Sequence, residues 1–324
     1  MCTAITLNTA DNYFGRNLDL DISYGEEVCV VPRNFPFSFK KMKEIKSHFA
    51  IIGMATVVEG TPLFYDAANE YGLSMAGLNF PNNAYFPEFC DGKDNVTPFE
   101  FISWILSQCK TVSDARVLLN RINLVNIPFN ENLPLSPLHW IIADKCESVV
   151  IESMKTGLHI HDNPTGVLTN NPPFEYHLFN LNNYRNLSVT NGEGTFSKNL
   201  NFENYSQGLG AIGLPGDVSS MSRFVRAVFG KENSVCKREE VSSVSQFFHL
   251  LSSVAMNRGI CKMPSDRWNI TVYSSCINTD KGLYYYTTYD NQQINCIDMH
   301  RTDLDANTVY RYPLVLEQGI SHQN

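Results

Sequence analysis

The 324-residue chain contains no run of about 18 consecutive apolar residues, the minimum length of a membrane-spanning helix. Its first residues also lack the basic segment and the apolar segment that together make up a secretory signal peptide. From these two absences we expect no membrane partner and a cytoplasmic location.

Positive charge is also scarce. The 25 Lys and Arg residues are outnumbered by 33 Asp and Glu residues, and the formal net charge is −8. The longest basic stretch, "KKMKEIK" at 40–46, is interpreted as a solvated surface. Because proteins that bind nucleic acid cluster Lys and Arg on one face, this composition disfavours a nucleic-acid partner.

Motifs for metals and nucleotide cofactors are weak or absent. The nine cysteines are odd in number and never in C-x-x-C spacing, which argues against a disulfide framework and a zinc site. We expect most of them to be small core residues. His159 and His161 would face one side of a strand, but no carboxylate or cysteine is arranged with them. The segment "GLGAIG" at 208–213 matches a dinucleotide fingerprint, yet Pro215 follows where a helix would have to begin. We predict no metal and no organic cofactor.

What the chain does contain is a clear division between β-rich and helical segments. Apolar patterns predict strands at 2–7, 28–32, 49–58, 72–80, 138–145, 148–153, 157–162 and 166–170, and in "NITVYSSCI", "GLYYYTTYD" and "QINCIDM". Helices are predicted at 97–109 and 113–122, and at about 174–184, 219–229 and 241–256. For the first of these, Thr97, Pro98 and Glu100 predict a capping box. Segregated strand and helix blocks indicate an α+β class with antiparallel sheet, here as one domain over 1–324.

The start "MCT" places Cys2 directly behind the initiator methionine. Methionine is removed when the second residue is small, and its removal would leave a thiol and a free α-amine on one residue. Both groups ordinarily titrate near roughly pH 8, so the amine could accept the thiol proton without a histidine. Two alternatives remain open on the residues alone: an accidental or structural cysteine, and a papain-like enzyme whose base is His139, His177 or His249.

A second polar stretch, "GRNLDLD" at 15–21, follows the first predicted strand closely. Arg16 and Asp19 could return alongside Cys2, where a guanidinium would stabilise a thiolate and a carboxylate would hold the terminal amine. Taken alone, the stretch could equally be a surface turn with a local salt bridge.

Seven short motifs occur together in this order: "MCTAIT", "FGRNLD" (14–19), "NEYGLSMAGLNFP" (69–81), "LHWIIAD" (138–144), "GVLTNNPPF" (166–174), "GLPGDVSSMSRFVRA" (213–227) and "YYYTTYDNQQINCIDM". In order and spacing they resemble the choloylglycine hydrolase family over essentially the whole chain, and within it the bile salt hydrolases of gut bacteria. The resemblance implies an N-terminal nucleophile hydrolase, an αββα sandwich of two antiparallel sheets between helix layers.

The same resemblance implies a set of site residues. Cys2 would be the nucleophile, and the polar residues around it would be Arg16, Asp19, Asn79, Asn170 and Arg223. The oxyanion would be stabilised by Asn79 and Asn170, with Asn79 the less certain side chain because related enzymes use a backbone N–H there. Candidate pocket residues, each of which could also be ordinary core, are Leu18, Val58, Tyr65, Phe129, Leu133 and Leu138.

The family divides between enzymes for conjugated bile salts and penicillin V acylases. The latter commonly carry Tyr where this chain has Asn79, which favours hydrolysis of glycine- or taurine-conjugated bile salts. A penicillin V or N-acyl homoserine lactone acylase, or a catalytically silent binding protein, are the alternatives. The resemblance also implies a homotetramer.

Overall fold

The computed structural model describes residues 1–324. It contains sixteen strands: β1 (Cys2–Asn8), β2 (Asn12–Leu20), β3 (Glu27–Val31), β4 (Ile51–Val58), β5 (Thr61–Asn69), β6 (Ser74–Asn79), β7 (Asp94–Val96), β8 (Ile122–Leu124), β9 (Leu138–Ala143), β10 (Ser148–Met154), β11 (Gly157–Asp162), β12 (Val167–Leu168), β13 (Ile270–Asn278), β14 (Leu283–Thr288), β15 (Asn295–Asp298) and β16 (Tyr310–Pro313).

Five α-helices accompany the strands: α1 (Phe101–Leu106), α2 (Val112–Leu119), α3 (Phe174–Asn180), α4 (Ser220–Glu232) and α5 (Glu240–Ser252). Short 3₁₀ turns cover Leu181–Tyr184, Leu209–Ala211 and Met299–Arg301. None of the helices is both long enough and apolar enough to cross a bilayer.

Fourteen of the strands form two antiparallel sheets. The first has six strands in the order β12-β1-β2-β13-β14-β15, and the second has eight in the order β11-β10-β9-β6-β5-β4-β3-β16. β1 therefore lies inside the first sheet, between β2 and the short β12. The remaining strands, β7 and β8, form a small parallel pair.

The two sheets pack face to face between layers of helices. One hydrophobic cluster joins Phe14 of β2, Met54 of β4 and Phe247 of α5, so it fills both the space between the sheets and the space under α4 and α5. A second cluster joins Ile142 of β9 with Ile105 and Ala115 of the helices on the outer side of the eight-stranded sheet. This is the αββα arrangement that the resemblance implied.

One predicted helix begins later than expected. α1 starts at Phe101, and residues 98–100 form a turn instead. Half of the predicted capping box is present, because the Glu100 carboxylate accepts a hydrogen bond from the Thr97 amide at 3.1 Å. The Thr97 hydroxyl has no partner, and the Glu100 carboxylate also accepts from the Lys40 amide at 2.6 Å. The Glu100 carboxylate thus holds the 37–45 segment as well as the turn before the helix.

The cysteines differ from expectation in their burial. All nine are free thiols, but only Cys2, Cys29, Cys109 and Cys276 are buried. The expectation that most are core residues was wrong, because the other five lie in loops or on a sheet edge where little packs over them.

Candidate active site

Cys2 lies at the start of β1, directly opposite Leu18 of β2, and its side chain is buried. Its backbone N donates to Oδ1 of Asn170 at 2.7 Å, and its carbonyl accepts from Nη1 of Arg223 at 2.5 Å. Met1 continues the strand pairing outward, since its ammonium donates to the Asp19 carbonyl at 2.7 Å and its carbonyl accepts from the Asp19 amide at 2.9 Å. The backbone of the first two residues is therefore hydrogen-bonded to Asp19 of β2 on one side and to Asn170 and Arg223 on the other.

Arg16 lies two residues before Leu18 on β2 and is completely buried. Its Nη1 donates to the carbonyls of Tyr65 at 3.0 Å and Gly77 at 2.5 Å, and its Nη2 has no partner. Burial by itself lowers the pKa of Arg16, but attraction to Cys2 and other nearby acidic groups outweighs burial and raises that pKa. Arg16 is thus a fixed positive charge beside the thiol, with one N–H pair still free to interact.

Asp19 lies three residues after Arg16 on β2 and is also completely buried. Its Oδ1 accepts from the Thr271 hydroxyl at 2.6 Å, and its Oδ2 has no partner. Burial raises the pKa of Asp19, while Arg223 and the N-terminal ammonium oppose that rise. The unpartnered oxygen is an acceptor available to a group near the chain terminus.

Asn170 lies just after β12 and is the hub of the site. Its Oδ1 accepts from the Cys2 amide and from Nη2 of Arg223, the latter at 2.8 Å. Its Nδ2 donates to the Asn79 carbonyl at 2.7 Å, at the end of β6. Its own amide donates to the Ser220 hydroxyl at 2.8 Å. An amide nitrogen carries two hydrogens, so one remains after the bond to Asn79.

Arg223 enters the site from α4 and is completely buried. It binds Cys2 and Asn170 as described, and Nη1 also donates to the Thr3 hydroxyl at 2.7 Å. Burial lowers its pKa, with Asp19 and Cys2 opposing. The structure thus brings together all six polar residues predicted from the sequence, with Asn79 joined through its carbonyl.

Asp66 is a buried charge of this site that the sequence analysis missed. It lies on β5 and accepts hydrogen bonds from Tyr273 (2.5 Å), Ser275 (3.0 Å) and Tyr284 (2.8 Å) of the opposite sheet. Burial raises its pKa, and Arg16 acts against that rise. The only signal in the sequence was a single Asp within an otherwise apolar segment, "PLFYDAA".

Two of the three histidines considered as bases have other partners, and the third is exposed. His139 binds Glu152 and the Thr169 carbonyl, and His177 binds the Asn170 carbonyl. His249 is exposed on α5. None of them forms a hydrogen bond with the Cys2 thiol, so the geometry does not favour a papain-like Cys–His pair.

A family model for linear amide C–N hydrolases, choloylglycine hydrolase family, matches residues 2–312. The chain belongs to the choloylglycine hydrolase family. A bile salt hydrolase/transferase of Lactiplantibacillus plantarum is 53% identical over 314 residues, covering 97% of each chain. A bile salt hydrolase/transferase of Clostridium perfringens is 38% identical and covers 100% of each.

Two solved structures agree with this family assignment. The C2A mutant of conjugated bile acid hydrolase from Clostridium perfringens matches with a TM-score of 0.93, 37% identity and 100% coverage of both chains. Penicillin V acylase from Agrobacterium tumefaciens matches with a TM-score of 0.77 and 20% identity, over 97% of this chain and 92% of that one. This chain therefore has the N-terminal nucleophile hydrolase fold. It is an amide hydrolase of the type that has an N-terminal cysteine as nucleophile.

The pocket candidates of this choloylglycine hydrolase are placed less uniformly than its polar residues. Leu18 faces Cys2 across the strand pair, Leu138 pairs with Asn79, and the Tyr65 carbonyl holds Arg16. Of the other candidates, Val58 is the last residue of β4, and Phe129 and Leu133 lie on the loop before β9. This loop touches the turn after β4, where Nδ2 of Asn130 donates to Glu59 at 3.1 Å.

Phe129 has neighbours of its own, and one cleft of the protein is lined by other residues. Phe129 packs on Phe99 with ring centres 6.3 Å apart, beneath the Lys40 ammonium. A cleft of about 540 Å³ lies at the end of β2, where Asp21 and Ile270 are among its lining residues. None of the six pocket candidates lines this cleft.

Proposed function

We propose that this protein hydrolyses the amide bond of glycine- or taurine-conjugated bile salts with Cys2 as nucleophile. The observation that carries the proposal is the bond between the Cys2 backbone nitrogen and Asn170, beside the buried charges of Arg16 and Asp19. Once Met1 is removed, that nitrogen is the α-amine. The names of the relatives in Lactiplantibacillus plantarum and Clostridium perfringens support the substrate class.

In the proposed mechanism the α-amine of Cys2 takes the thiol proton, and the thiolate attacks the carbonyl carbon of the substrate amide. The remaining hydrogen on Nδ2 of Asn170 donates to the developing oxyanion, assisted by Asn79. The C–N bond then breaks, and the proton held by the α-amine leaves with glycine or taurine. Water hydrolyses the resulting thioester and releases the bile acid, which restores the thiol.

The charged residues have separate proposed tasks. Arg16 stabilises the thiolate, because its unpartnered Nη2 is buried beside Cys2. Asp19 offers its unpartnered Oδ2 to the α-amine. Arg223 fixes Asn170 and the Cys2 carbonyl, so that nucleophile and oxyanion donor keep one relative position.

We propose that Leu18, Val58, Tyr65, Phe129, Leu133 and Leu138 contribute apolar surface to the steroid site. A steroid nucleus gains binding free energy by burial, at roughly 25 cal/mol per Å² of apolar area. The two loops that touch at Asn130 and Glu59 would form one side of such a site.

The function is tested by incubating purified protein with glycocholate and taurocholate and measuring released cholate by liquid chromatography. We expect turnover by the wild type and none by Cys2→Ala. Cys29→Ala is the matched control, because Cys29 is an equally buried thiol in the eight-stranded sheet. Equal rates for Cys2→Ala and wild type would refute nucleophilic catalysis by Cys2.

We further propose a single domain over residues 1–324, a cytoplasmic location and a homotetramer without nucleic-acid or membrane partners. The long segment between α3 and α4 supports self-association, because several of its apolar side chains are exposed: Val189, Phe196, Leu200, Phe202, Tyr205 and Ile212. Light scattering coupled to gel filtration would measure the assembly, and a mass close to the 36.6 kDa of one chain would contradict it.

A further inference from the structure

Two buried histidines bind the backbone at the hub of the site. Nε2 of His139 lies 2.8 Å from the Thr169 carbonyl, and Nε2 of His177 lies 2.9 Å from the Asn170 carbonyl. A carbonyl oxygen can only accept, so Nε2 carries a hydrogen in both rings. The position of the Asn170 amide therefore depends on two imidazole donors behind it.

His139 has a second partner that constrains its protonation. Its Nδ1 lies 3.0 Å from Oε1 of Glu152, which also accepts from the Phe174 amide at 3.0 Å. A neutral ring with its hydrogen on Nε2 would turn a lone pair on Nδ1 toward the carboxylate. The contact is attractive only if the pair holds an additional proton. Burial raises the pKa of Glu152, but His139 and His161 outweigh burial and bring it down to about 2, so the carboxylate is the acceptor in this contact.

The pair connects the elements on both sides of the oxyanion donor. Glu152 lies on β10 and binds the first residue of α3, while His139 lies on β9. The ring of His139 also stacks on Phe80 with centres 4.3 Å apart. Phe80 follows Asn79, whose carbonyl accepts from the Asn170 side chain. His139 therefore contacts the segments that carry both asparagines.

We infer that His139 and Glu152 are positioning residues that hold the Thr169–Asn170 backbone so that the Asn170 amide points at the reacting carbonyl. This inference rests on the proposed function. In this inference the buried pair His139–Glu152 controls the rate of the chemical step, although it contacts neither the substrate nor the thiol.

The test is a double-mutant cycle on glycocholate hydrolysis. Asn170→Ala should lower kcat by ~10²–10³, the usual loss for one oxyanion donor. His139→Gln and Glu152→Gln should each lower kcat by about 10-fold or more with KM within about twofold, because the groups act on the reaction through the Asn170 amide and not on substrate binding. In the Asn170→Ala background the same substitutions should change kcat by less than about twofold, since the group they position is gone.

His161→Gln is the matched control. Its Nε2 lies 3.5 Å from Oε2 of Glu152, so it faces the same carboxylate, but its ring is partly exposed and does not contact the Asn170 segment. We expect its kcat within about twofold of wild type. An equal loss in His161→Gln, or a full loss by His139→Gln in the Asn170→Ala background, would assign these residues a general structural role instead.

A measurement on the unmutated protein tests the inference even if the variants fail to fold. Solid-state ¹⁵N NMR of histidine-labelled protein should show a hydrogen on both Nδ1 and Nε2 of His139, as its contacts with Glu152 and the Thr169 carbonyl require, and an Nδ1 without hydrogen would overturn the inference. That spectrum does not depend on the substrate. Failure of the wild type to hydrolyse glycocholate would therefore refute the proposed function separately.

Discussion

Asn170 uses nearly all of its hydrogen-bonding capacity before any substrate arrives. Oδ1 accepts twice, from Cys2 and Arg223, and Nδ2 donates once to Asn79. One amide hydrogen is left, and its direction is fixed by the other three bonds. Such a prearranged donor requires no reorganisation when negative charge develops on the substrate oxygen.

At the residue scale, the polar set was predicted through the family resemblance, because each member belongs to one of the seven short motifs that carry it. "MCT", "GRNLD" and "LTNNPP" place the reactive groups at fixed distances from strand ends. Asp66 and the pair His139–Glu152 could not be predicted in this way. Their partners lie on other strands, up to more than 200 residues away, and only the assembled sheets bring them together.

The first residue gives a direct prediction. Met1 should be absent from active protein, because an acylated nitrogen on Cys2 cannot accept the thiol proton. Intact-mass spectrometry of the preparation used for kinetics will show whether the mass is lower by one methionine. A species of full precursor mass with full activity would contradict the role of the α-amine as base.

At the element scale, regular strands and helices with clear apolar periodicity were predicted well. Five strands were not predicted: β2, β7, β8, β16 and, between β4 and β6, β5. Its sequence, "TPLFYDAAN", contains Pro, Asp, Asn and two Ala residues, all of which are depleted in strands. It forms a strand because β4 and β6 pair with it on either side. The start of α1 was predicted too early, at residue 97 instead of Phe101. Contacts distant in the sequence again decide the structure, since the Glu100 carboxylate also binds the 37–45 segment.

Helix α3 carries a pH-dependent contribution to stability through His177. Burial lowers the pKa of His177 to about 4, from an ordinary value near 6.5. Between these values the unfolded chain binds a proton that the folded protein does not. The contribution of neutral His177 is therefore complete above about pH 6.5 and is lost as pH falls toward 4.

His177→Gln should remove this dependence while keeping a donor for the Asn170 carbonyl. By linkage, the wild type should lose about 2 kcal/mol more unfolding free energy than the variant between pH 7.5 and pH 5. Urea unfolding of both proteins at the two pH values measures the difference. Identical losses would show that folding does not lower the pKa of His177.

At the scale of the whole molecule, the site lies where both sheets and one helix meet. Cys2, Arg16 and Asp19 come from the six-stranded sheet, Asn79 from the eight-stranded sheet and Arg223 from α4. Asp66 joins the two sheets through hydroxyl groups of Tyr273 and Tyr284. The distances within the site therefore depend on how the two sheets pack.

Substrate choice should reflect that arrangement. We expect kcat/KM for glycocholate and taurocholate at least ~10-fold above that for penicillin V, about 1.4 kcal/mol, because a steroid buries more apolar surface while the scissile amides are similar. Polar substitution at Leu133 or Phe129 should weaken bile salt turnover more than penicillin V turnover. Chromatography of released cholate and released phenoxyacetate on one preparation measures both, and reversed efficiencies would show that penicillin V is the better substrate.

The pairing of Met1 with Asp19 has a consequence for the order of events during synthesis. The N-terminus leaves the ribosome first, and β2 is complete by residue 20, whereas Asn170 and Arg223 follow much later. Once β1 and β2 pair, the Met1 ammonium and carbonyl are both held by Asp19, and an aminopeptidase needs a free, extended terminus. Maturation thus competes with the first hairpin of the fold. Protein refolded with its methionine still attached should therefore lose it more slowly to added methionine aminopeptidase than the unfolded chain does.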